Sequence, residues 1–401
     1  MKILFFTQYF WPENFRINEL AVFFKKQNDV SVLTCNPSYP NKENYEKFYK
    51  DKLKYKKYFG IPVIRVPVFP RKNNDFSTII NFFTFIINSF FFGLLKLSKK
   101  KFDCIFIFGT SPIFSAIPAI LISIIFKKKL FLWVLDLWPD NIIELKNIKN
   151  KILINFLRKI VKIIYDNCDV IFVQTKSFKK SIEKLSKTKC VFFPSWSEDI
   201  SSNKKRVFKI IKRSEHKIKI VFTGNIGESQ SFDSVIKCAK LLKCKYIAKW
   251  IIVGDGRWKN NLINQIKQNR LEKDFQLIDR VELNKIHYFF NEADVLFLSL
   301  KKKKNYSKTI PGKLFTYLNS GKPILGMISG EANELIKKSK SGLVCESDDY
   351  RSLKMNIIKF SKLSSKKRKI MANNGKKFSK NNFNKLKIFK KLQNEIITNL
   401  V

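Results

Sequence analysis

The chain has 401 residues, and its 78 lysines and arginines outnumber 32 aspartates and glutamates to give a formal charge of +46. This length exceeds one domain of ordinary size and predicts two domains, each with its own core. The charge predicts attraction to polyanions such as nucleic acids, anionic lipids and nucleotide diphosphates, although an AT-rich genome accounts equally well for part of the lysine excess. The seven cysteines include no C-x-x-C pair, so a reducing compartment is favoured over a disulfide framework.

Short apolar runs typical of buried parallel strands recur along the chain, separated by helical stretches. The first half contains KILFFT, VSVLT, CIFIF, LFLWVL and VIFVQ, and the second half contains IKIVFTG, IAKWIIVG, FQLID, VLFLSL and PILGM. This alternation predicts an α/β protein with two Rossmann-like, doubly wound parallel sheets. The N-terminal MKILFFT lacks a small-residue cleavage site, and we interpret it as the first strand rather than as a signal peptide.

The predicted domain boundaries follow from composition. A polar and basic stretch from Ser197 to His216 indicates an interdomain linker, so the first domain is expected over residues 1–200 and the second over 201–361. Residues 362–401 have helical apolar spacing and predict one or two closing helices that pack back on the domains. No internal repeat of fixed period is present.

One segment of the first half is apolar enough to contact a membrane. Phe76 to Leu97 carries no charge before Lys96 and is followed by three lysines at 99–101. Its length fits a spanning helix, but a span would put strands of one sheet on opposite sides of the bilayer. We therefore predict a helix lying in the surface of an anionic membrane, with a buried core helix as the alternative. For Pro112 to Phe126 the preference is reversed, and a core helix is expected.

Two kinds of polar chemistry find little support in the sequence. The chain contains only two histidines, His216 and His287, which excludes a histidine-based zinc site or a catalytic triad. The neighbouring carboxylates of Asp348 and Asp349 could suggest a metal site, but their position in a loop favours a solvated turn.

Glycine-rich turns after predicted strands are the most informative motifs. VFTGNIGESQSF places Gly224, Asn225 and Gly227 between a strand and a helix, and IIVGDGRW places Gly254 in a similar turn. Such turns let backbone N–H groups and a helix N-terminus approach a phosphate. In IPGKLF, Lys313 falls in the first turn of a helix, where its charge adds to the helix dipole.

The motifs QYFWPENFRINELA, VLDLWPDNI, GNIGESQSFDSV, VGDGRWK and TIPGKLFTYLNSGKPILG occur in this order between residue 1 and about residue 350. Together they resemble the GT-B retaining glycosyltransferases of group 1, the glycosyltransferase 4 family, and within it the fucosamine-transferase-like branch that makes O-antigen, capsule or colanic acid. The resemblance implies transfer of a sugar, commonly N-acetylated, from a UDP-sugar co-substrate to a polyprenyl-diphosphate-linked glycan. A lysine and helix N-termini can do the neutralising that a metal performs elsewhere, so we expect a metal-independent enzyme without a cofactor. The apolar segment from Phe76 to Leu97 predicts a location in the cytoplasm, peripheral on the inner face of the cytoplasmic membrane.

The resemblance assigns the donor site to the second domain. It places the donor diphosphate, in a cleft between the domains, beside Gly224, Asn225, Gly227 and Gly254, with Lys313 as the cationic catalytic partner. Further donor-binding positions that it implies are Arg280 and Val281 for the base, Thr316 for the ribose and Glu331 for the sugar. Many relatives have glutamates where this chain has Lys308 and Thr316, which leaves the ribose contact and the nucleotide base open. Glu331 is equally consistent with an ordinary acid in a helix's first turn.

The resemblance assigns the acceptor side to the first domain. It implies an acceptor loop formed by Pro12, Glu13, Asn14, Phe15 and Arg16, for which ordinary turn chemistry is the alternative. Asp136 is implied as the catalytic residue that orients the acceptor hydroxyl or the transferred sugar, and helix capping is its alternative role.

Two other functions stay open. A nucleic-acid-binding protein would account for the charge and the 14% aromatic content, but most phenylalanines lie in apolar runs rather than between basic residues, and no nucleic-acid partner is expected. A degenerate transferase that serves as a non-catalytic partner in a glycan assembly complex is consistent with Thr316.

Overall fold

The computed structural model describes residues 1–39, 42–71, 75–197, 215–243 and 245–400. It divides the chain into two compact units, one of Met1–Phe193 with Phe389–Val401 and the other of Pro194–Ile388. The predicted linker at 197–216 and the expected boundary between residues 200 and 201 lie almost wholly outside the described residues. The six cysteines among the described residues are buried and form no disulfide.

The first unit is built on an eight-stranded sheet of order β3-β4-β2-β1-β5-β6-β7-β8, parallel except for the β3–β4 pair. Its strands are β1 (Lys2–Phe6), β2 (Asp29–Cys35), β3 (Lys57–Tyr58), β4 (Ile61–Val66), β5 (Cys104–Gly109), β6 (Lys129–Val134), β7 (Val170–Val173) and β8 (Lys189–Phe192). Its helices are α1 (Arg16–Lys25), α2 (Lys42–Lys50), α3 (Asp75–Leu97), α4 (Ile117–Phe126), α5 (Asp140–Leu145), α6 (Lys151–Asp166) and α7 (Lys176–Glu183). Helices cover the sheet, which explains why its central strands are continuous apolar runs rather than alternating ones.

The second unit is built on a six-stranded parallel sheet of order β11-β10-β9-β12-β13-β14. Its strands are β9 (Ile218–Thr223), β10 (Ala248–Val253), β11 (Phe275–Ile278), β12 (Val295–Ser299), β13 (Ile324–Met327) and β14 (Gly342–Cys345). Its helices are α8 (Phe232–Leu242), α9 (Lys259–Gln268), α10 (Ile286–Glu292), α11 (Lys304–Ser307), α12 (Gly312–Asn319), α13 (Glu331–Ser339), α14 (Tyr350–Ser361) and α15 (Ser365–Asn382).

These two sheets confirm the predicted fold class of two parallel-sheet α/β domains. The predicted C-terminal helices are also present, as α15 and as α16 (Lys385–Thr398). Helix α15 packs on α12, and the ring of Phe389 in α16 packs on that of Phe23 in α1, with 5.1 Å between the centroids. Four strands were not predicted, namely β3, β4, β8 and β14, because they are short or interrupted by polar residues and by Pro62.

Helix α3 is the one helix of the described residues that is long and apolar enough to cross a membrane. It nevertheless connects β4 to β5 of one sheet and contacts β2, β4 and α4. A Cβ atom on Gly93 would lie 3.2 Å from Leu33 Cδ1 and 3.3 Å from Ile122 Cδ1, so the helix packs closely against this layer. Because one side of α3 is covered by the protein, a bilayer could not surround it.

The two faces of α3 have an unusual polarity. Phe76 and Leu95 are both 72% exposed, and the other large apolar side chains on this outer face are Ile79, Phe83, Ile87, Phe91 and Phe92. The buried face contains the polar residues Ser77, Asn81 and Ser89 beside Phe82 and Phe85. An apolar face turned outward is typical of a helix that contacts a lipid surface or another protein. Helix α4, expected in the core, is partly buried and exposes Leu121, Ile124 and Ile125.

Candidate functional site

Three of the predicted donor residues lie at the carboxyl ends of strands of the second sheet. Gly224 follows β9, Gly254 follows β10, and Arg280 follows β11 after one further residue. Crossover connections leave β9 in one direction and β12 in the other, so the sheet has its switch point between these strands. In open α/β sheets, ligands bind in the crevice outside the carboxyl ends of the strands at such a switch point.

The glycine turns at these strand ends are packed backbone against backbone. Gly224 has φ +128°, a conformation that L side chains rarely adopt. A Cβ atom on Gly254 would lie 1.8 Å from the carbonyl oxygen of Gly224, and one on Gly256 would lie 2.4 Å from that of Ile226. Glycine is therefore required at 254 and 256 because the two turns would otherwise overlap.

The hydrogen bonds of the first turn decide which amides could reach a ligand. The N–H of Gly224 donates to the carbonyl of Val253 at 2.9 Å, and the N–H of Ile226 donates to that of Asp255 at 2.8 Å. Gly224 therefore shapes the turn and does not offer its own amide to a phosphate. In the part of the chain that the structure describes, the N–H groups of Asn225 and Gly227 carry no hydrogen bond. Gly224 and Asn225 are exposed, and Gly227 is half-buried.

Lys313 lies beside this turn. Its Nζ is 3.3 Å from the position of a Cβ atom on Gly224, donates to Gln230 Oε1 at 2.9 Å and stands 3.8 Å from the ring centroid of Phe222. Burial lowers the pKa of Lys313 to about 7. Among the described residues no carboxylate forms an ion pair with this ammonium. Lys313 is half-buried, so a ligand that supplies negative charge would stabilise its charged form.

The other predicted donor residues differ in their surroundings. Arg280 is exposed and Val281 is half-buried, while Thr316 is buried on α12 one turn after Lys313. Glu331 opens α13 and is half-buried. The preceding Gly330 has φ +71°, and a Cβ atom there would lie 1.8 Å from the carbonyl oxygen of Ser307.

The polar residues that the sequence offered as alternatives have structural roles. Asp348 accepts hydrogen bonds from Ser231 Oγ, from Ser234 Oγ at 3.3 Å and from the Lys302 N–H at 2.7 Å. Asp349 caps α14 by accepting from the N–H of Ser352 at 3.0 Å. The pair therefore ties loops and a helix together rather than forming a solvated turn. His216 bonds to Asp274 at 2.8 Å, and no group of three or more His, Cys, Asp or Glu among the described residues is arranged to hold a metal.

The predicted acceptor loop follows β1 at the corresponding edge of the first sheet. Asn14 is exposed, while Pro12, Phe15 and Arg16 are half-buried, and Phe15 stacks on Tyr9 with 5.2 Å between the ring centroids. Glu13, by contrast, is 2% exposed. It cannot face an acceptor in this position, because its side chain points into the protein.

The carboxylate of Glu13 organises the loop. It accepts hydrogen bonds from the N–H groups of Ser38 and Tyr39, each at 2.7 Å, and from that of Phe10 at 3.2 Å. Burial raises the pKa of Glu13 to about 7, against the opposing effects of these amides and of the Arg65 charge. Glu13 therefore stabilises the turn through backbone hydrogen bonds, which is the alternative role that the sequence analysis gave for this loop.

Asp136 lies two residues beyond β6, at the same edge as the acceptor loop. It is half-buried, and Asn141 Nδ2 donates to its Oδ1 at 3.3 Å. Burial raises the pKa of this carboxyl above its ordinary value. Its side chain accepts no hydrogen bond from the N-terminal amides of α5, so the capping role suggested by the sequence is not observed.

Sequence reasoning missed two polar residues at the switch point of the first sheet, which lies between β1 and β5. Gln8 and Thr110 follow these strands, are buried, and have the atoms Oε1 and Oγ1 without a hydrogen-bond partner in the described residues. Buried polar atoms are rarely left unpaired, which makes both of them candidates for contact with a ligand. Their position directly after the strands KILFFT and CIFIFG was the available signal.

Comparison with known proteins is consistent with a sugar-transferring enzyme. Residues 203–378 match the family model of glycosyl transferases group 1. The probable glycosyltransferase WbjE of Pseudomonas aeruginosa is 24% identical over 302 residues, which are 70% of this chain and 72% of that protein. The putative colanic acid biosynthesis glycosyl transferase WcaI of Escherichia coli is 24% identical over 348 residues, which are 80% of this chain and 82% of that protein.

Solved structures share the whole fold. The structure of Anabaena Alr3699/HepE in complex with UDP-glucose superposes with a TM-score of 0.68 at 12% identity, covering 99% of this chain and 100% of that one. This likeness shows the GT-B fold. The family match and the two relatives support a glycosyltransferase of group 1.

Proposed function

We propose that this chain is a glycosyltransferase of group 1 that moves a sugar from a UDP-sugar to a polyprenyl-diphosphate-linked glycan during the synthesis of a bacterial surface polysaccharide. The observation that carries the proposal is Lys313, whose half-buried side chain lies beside the Gly224 turn without a carboxylate partner among the described residues. We further propose an N-acetylated amino sugar as the transferred group and retention of its anomeric configuration.

The donor diphosphate would bind against the Gly224 turn and the first turn of α12. Lys313 and the N–H groups of Asn225 and Gly227 would neutralise the charge that develops on UDP as the sugar bond breaks. These groups are fixed before the reaction, so little reorganisation is needed when the leaving group departs. The same ammonium and amides can do the neutralising that a divalent metal does elsewhere, and we propose a metal-independent reaction.

The acceptor would bind at the edge formed by the ends of β1, β5 and β6. We propose that Asp136 accepts a hydrogen bond from the attacking hydroxyl, and that Gln8 and Thr110 contact the acceptor sugar through their unpaired oxygens. Arg280 and Val281 would contact the base, Thr316 the ribose and Glu331 the donor sugar.

The outward apolar face of α3 supports a location on the inner face of the cytoplasmic membrane. Helix α6 adds four exposed apolar side chains, Ile152, Leu153, Phe156 and Ile163, and both α3 and α6 contact the 3₁₀ turn Ile113–Ala116. Lysines follow α3 and α4 and would contact anionic head groups. An enzyme held in this way would meet a lipid-linked acceptor by diffusion in two dimensions.

The names of similar proteins support parts of this proposal. WcaI is described as acting in colanic acid biosynthesis, and the Anabaena protein was solved with UDP-glucose. The Anabaena structure supports a nucleotide-sugar as the donor of this chain. The turn at Gly224 and Lys313 supports it as well, because it supplies groups suited to a diphosphate.

The test is a screen of the purified protein against a panel of UDP-sugars, read by UDP release with and without a lipid-linked acceptor. We expect release with one donor and a strong stimulation by the acceptor. No release with any donor would contradict the proposal and favour the non-catalytic partner to which Thr316 points. Salt-dependent nucleic-acid binding without sugar-nucleotide binding would favour the other alternative.

A further inference from the structure

Arg71, in the first unit, is held in an unusual way. The guanidinium carbon of Arg71 is 5.4 Å from the ring centroid of Tyr9 and 5.6 Å from that of Tyr39. Its Nε is buried without a hydrogen-bond partner, and Arg71 makes no ion pair within the described ranges. An arginine has five N–H donors in a fixed fork, and leaving the buried Nε–H unpaired is costly.

A neighbouring arginine, Arg65, shows how the N–H donors of a buried guanidinium are usually paired. Arg65 donates to the carbonyl oxygen of Cys35 at 2.8 Å, to that of Tyr55 at 3.3 Å and to that of Trp11. Arg65 is thus a structural residue, while the contacts that hold Arg71 within the described residues are those with aromatic rings. Rings can hold a guanidinium in place by cation–π contact without using its N–H donors.

The rings around Arg71 lie at the carboxyl ends of the strands of the first sheet, where the acceptor loop was predicted. Tyr9 follows β1 directly after Gln8, and its ring packs on those of Phe15 and Tyr39 at centroid distances of 5.2 Å and 5.5 Å. Tyr9 is buried, whereas Tyr39 is 41% exposed. Arg71 therefore lies at the same end of the sheet as the unpaired oxygen of Gln8.

Asn81 ties this end of the sheet to the apolar helix α3. It accepts a hydrogen bond from Gln8 Nε2 at 3.2 Å, and its Nδ2 donates to the carbonyl oxygen of Phe69 at 2.5 Å and to Ser38 Oγ at 3.3 Å. The first turns of α3 are thus fixed against the residues that surround Arg71. Helix α3 begins four residues after Arg71, and Phe76 in its first turn is 72% exposed, so the start of the apolar face is close to Arg71 along the chain.

We propose that Arg71, held between Tyr9 and Tyr39, binds the diphosphate group of an isoprenoid-linked acceptor, with the isoprenoid chain directed to the apolar face of α3. The guanidinium fork matches phosphate oxygens in a bidentate manner. This inference rests on the proposed function and names the group by which the enzyme holds its acceptor. Membrane phospholipids and free diphosphate share part of this chemistry, so the experiment separates the three.

The test compares the binding of farnesyl diphosphate, farnesyl monophosphate, inorganic diphosphate and anionic phospholipid vesicles to the full chain by titration calorimetry. Wild type should bind farnesyl diphosphate more tightly than the other three ligands. Arg71→Ala should weaken that binding by about 10- to 100-fold, and Arg71→Lys should be intermediate because a point charge remains. The control Arg351→Ala removes an exposed arginine that stacks on Tyr350 and should leave the affinity unchanged.

Several outcomes would overturn the inference. One is that Arg71→Ala and wild type bind farnesyl diphosphate with equal affinity. Another is that wild type binds farnesyl monophosphate and farnesyl diphosphate with equal affinity. A third is that wild type binds the anionic vesicles but none of the other ligands. If Arg71→Ala does not fold, Tyr39→Ala removes one of the two rings and should weaken diphosphate binding about tenfold. UDP-sugar binding is measured in parallel: farnesyl diphosphate binding without sugar transfer would contradict the proposed function alone, and transfer that does not depend on Arg71 would contradict the site alone.

Discussion

The Nζ atom of Lys313 lies 3.3 Å from the point that a Cβ atom on Gly224 would occupy, although 89 positions separate the two residues in the chain. The contact joins the first turn of α12 to the turn after β9, and this turn also contains the N–H groups of Asn225 and Gly227. A cation and free amides on the same turn are groups suited to a diphosphate.

The lowered pKa of Lys313 makes UDP binding dependent on protons. With a pKa of about 7, the free enzyme carries this lysine largely uncharged at pH 8, and a bound diphosphate restores the charge. We expect uptake of up to about 0.9 proton per UDP at pH 8, measured by calorimetry in buffers of different ionisation enthalpy. Lys313→Met should bind UDP more weakly and without this uptake. Equal uptake by both proteins would show that another group titrates.

Gly254→Ala tests the packing of the two glycine turns. The added Cβ would lie 1.8 Å from the Gly224 carbonyl oxygen, so the turns must separate. We expect the free energy of unfolding to fall by about 2–4 kcal/mol and UDP binding to be lost.

The matched control for that substitution is Gly321→Ala. Gly321 also has a positive φ, +72°, but its nearest neighbour is Lys376 Cδ at 4.0 Å. The control should lose only about 1 kcal/mol of stability and keep its affinity for UDP. Similar losses of stability in both variants, measured by urea denaturation, would contradict the packing argument. They would mean that the positive φ, and not overlap with the Gly224 turn, makes alanine unfavourable at position 254.

Glu13→Gln tests whether this carboxylate organises the acceptor loop. The pKa of Glu13 is raised to about 7, so the folded protein binds more protons than the unfolded chain between about pH 4.5 and pH 7. The contribution of Glu13 to stability is therefore present at low pH and decreases as pH rises through 7. We expect the stability of wild type relative to Glu13→Gln to fall over this range in urea denaturation, while the exposed control Glu272→Gln shows no such slope. A parallel pH dependence of all three proteins would contradict this role.

The sequence predicted most of the fold because long apolar runs between helices have few alternatives to a parallel sheet. The strands it missed are short or carry polar residues, as in β4, where Arg65 serves the acceptor loop. Lys313 and Gly224 could be paired in advance only through the resemblance, since nothing in composition or spacing brings α12 to the end of β9.

The details of the site depend on tertiary contacts. The N–H of Gly224 donates a hydrogen bond within the protein, whereas those of Asn225 and Gly227 do not among the described residues. The side chain of Glu13 is buried and points into the protein. Neither follows from residue type. The same holds for Arg71, since an arginine in a loop gives no sign that two tyrosines from distant segments will enclose it.

The apolar face of α3 predicts binding to anionic vesicles. Phe76, Phe83 and Phe91 are each more than half exposed, so replacing all three with serine should leave the fold stable and weaken vesicle binding at least tenfold in a sedimentation assay. The control replaces Leu53, Met355 and Ile370, three apolar residues exposed outside α3, with serine. A control that weakens binding as much as the triple variant would contradict a specific role of α3.

The most direct test of the donor site is UDP release by Lys313→Ala in the presence of the donor sugar and lipid-linked acceptor that wild type uses. With the fold verified by circular dichroism and Lys369→Ala, an exposed lysine on α15, as the control, we predict a fall in turnover of about 10²- to 10³-fold for Lys313→Ala alone. Turnover within a few-fold of wild type would contradict the role of this ammonium and with it the assigned site.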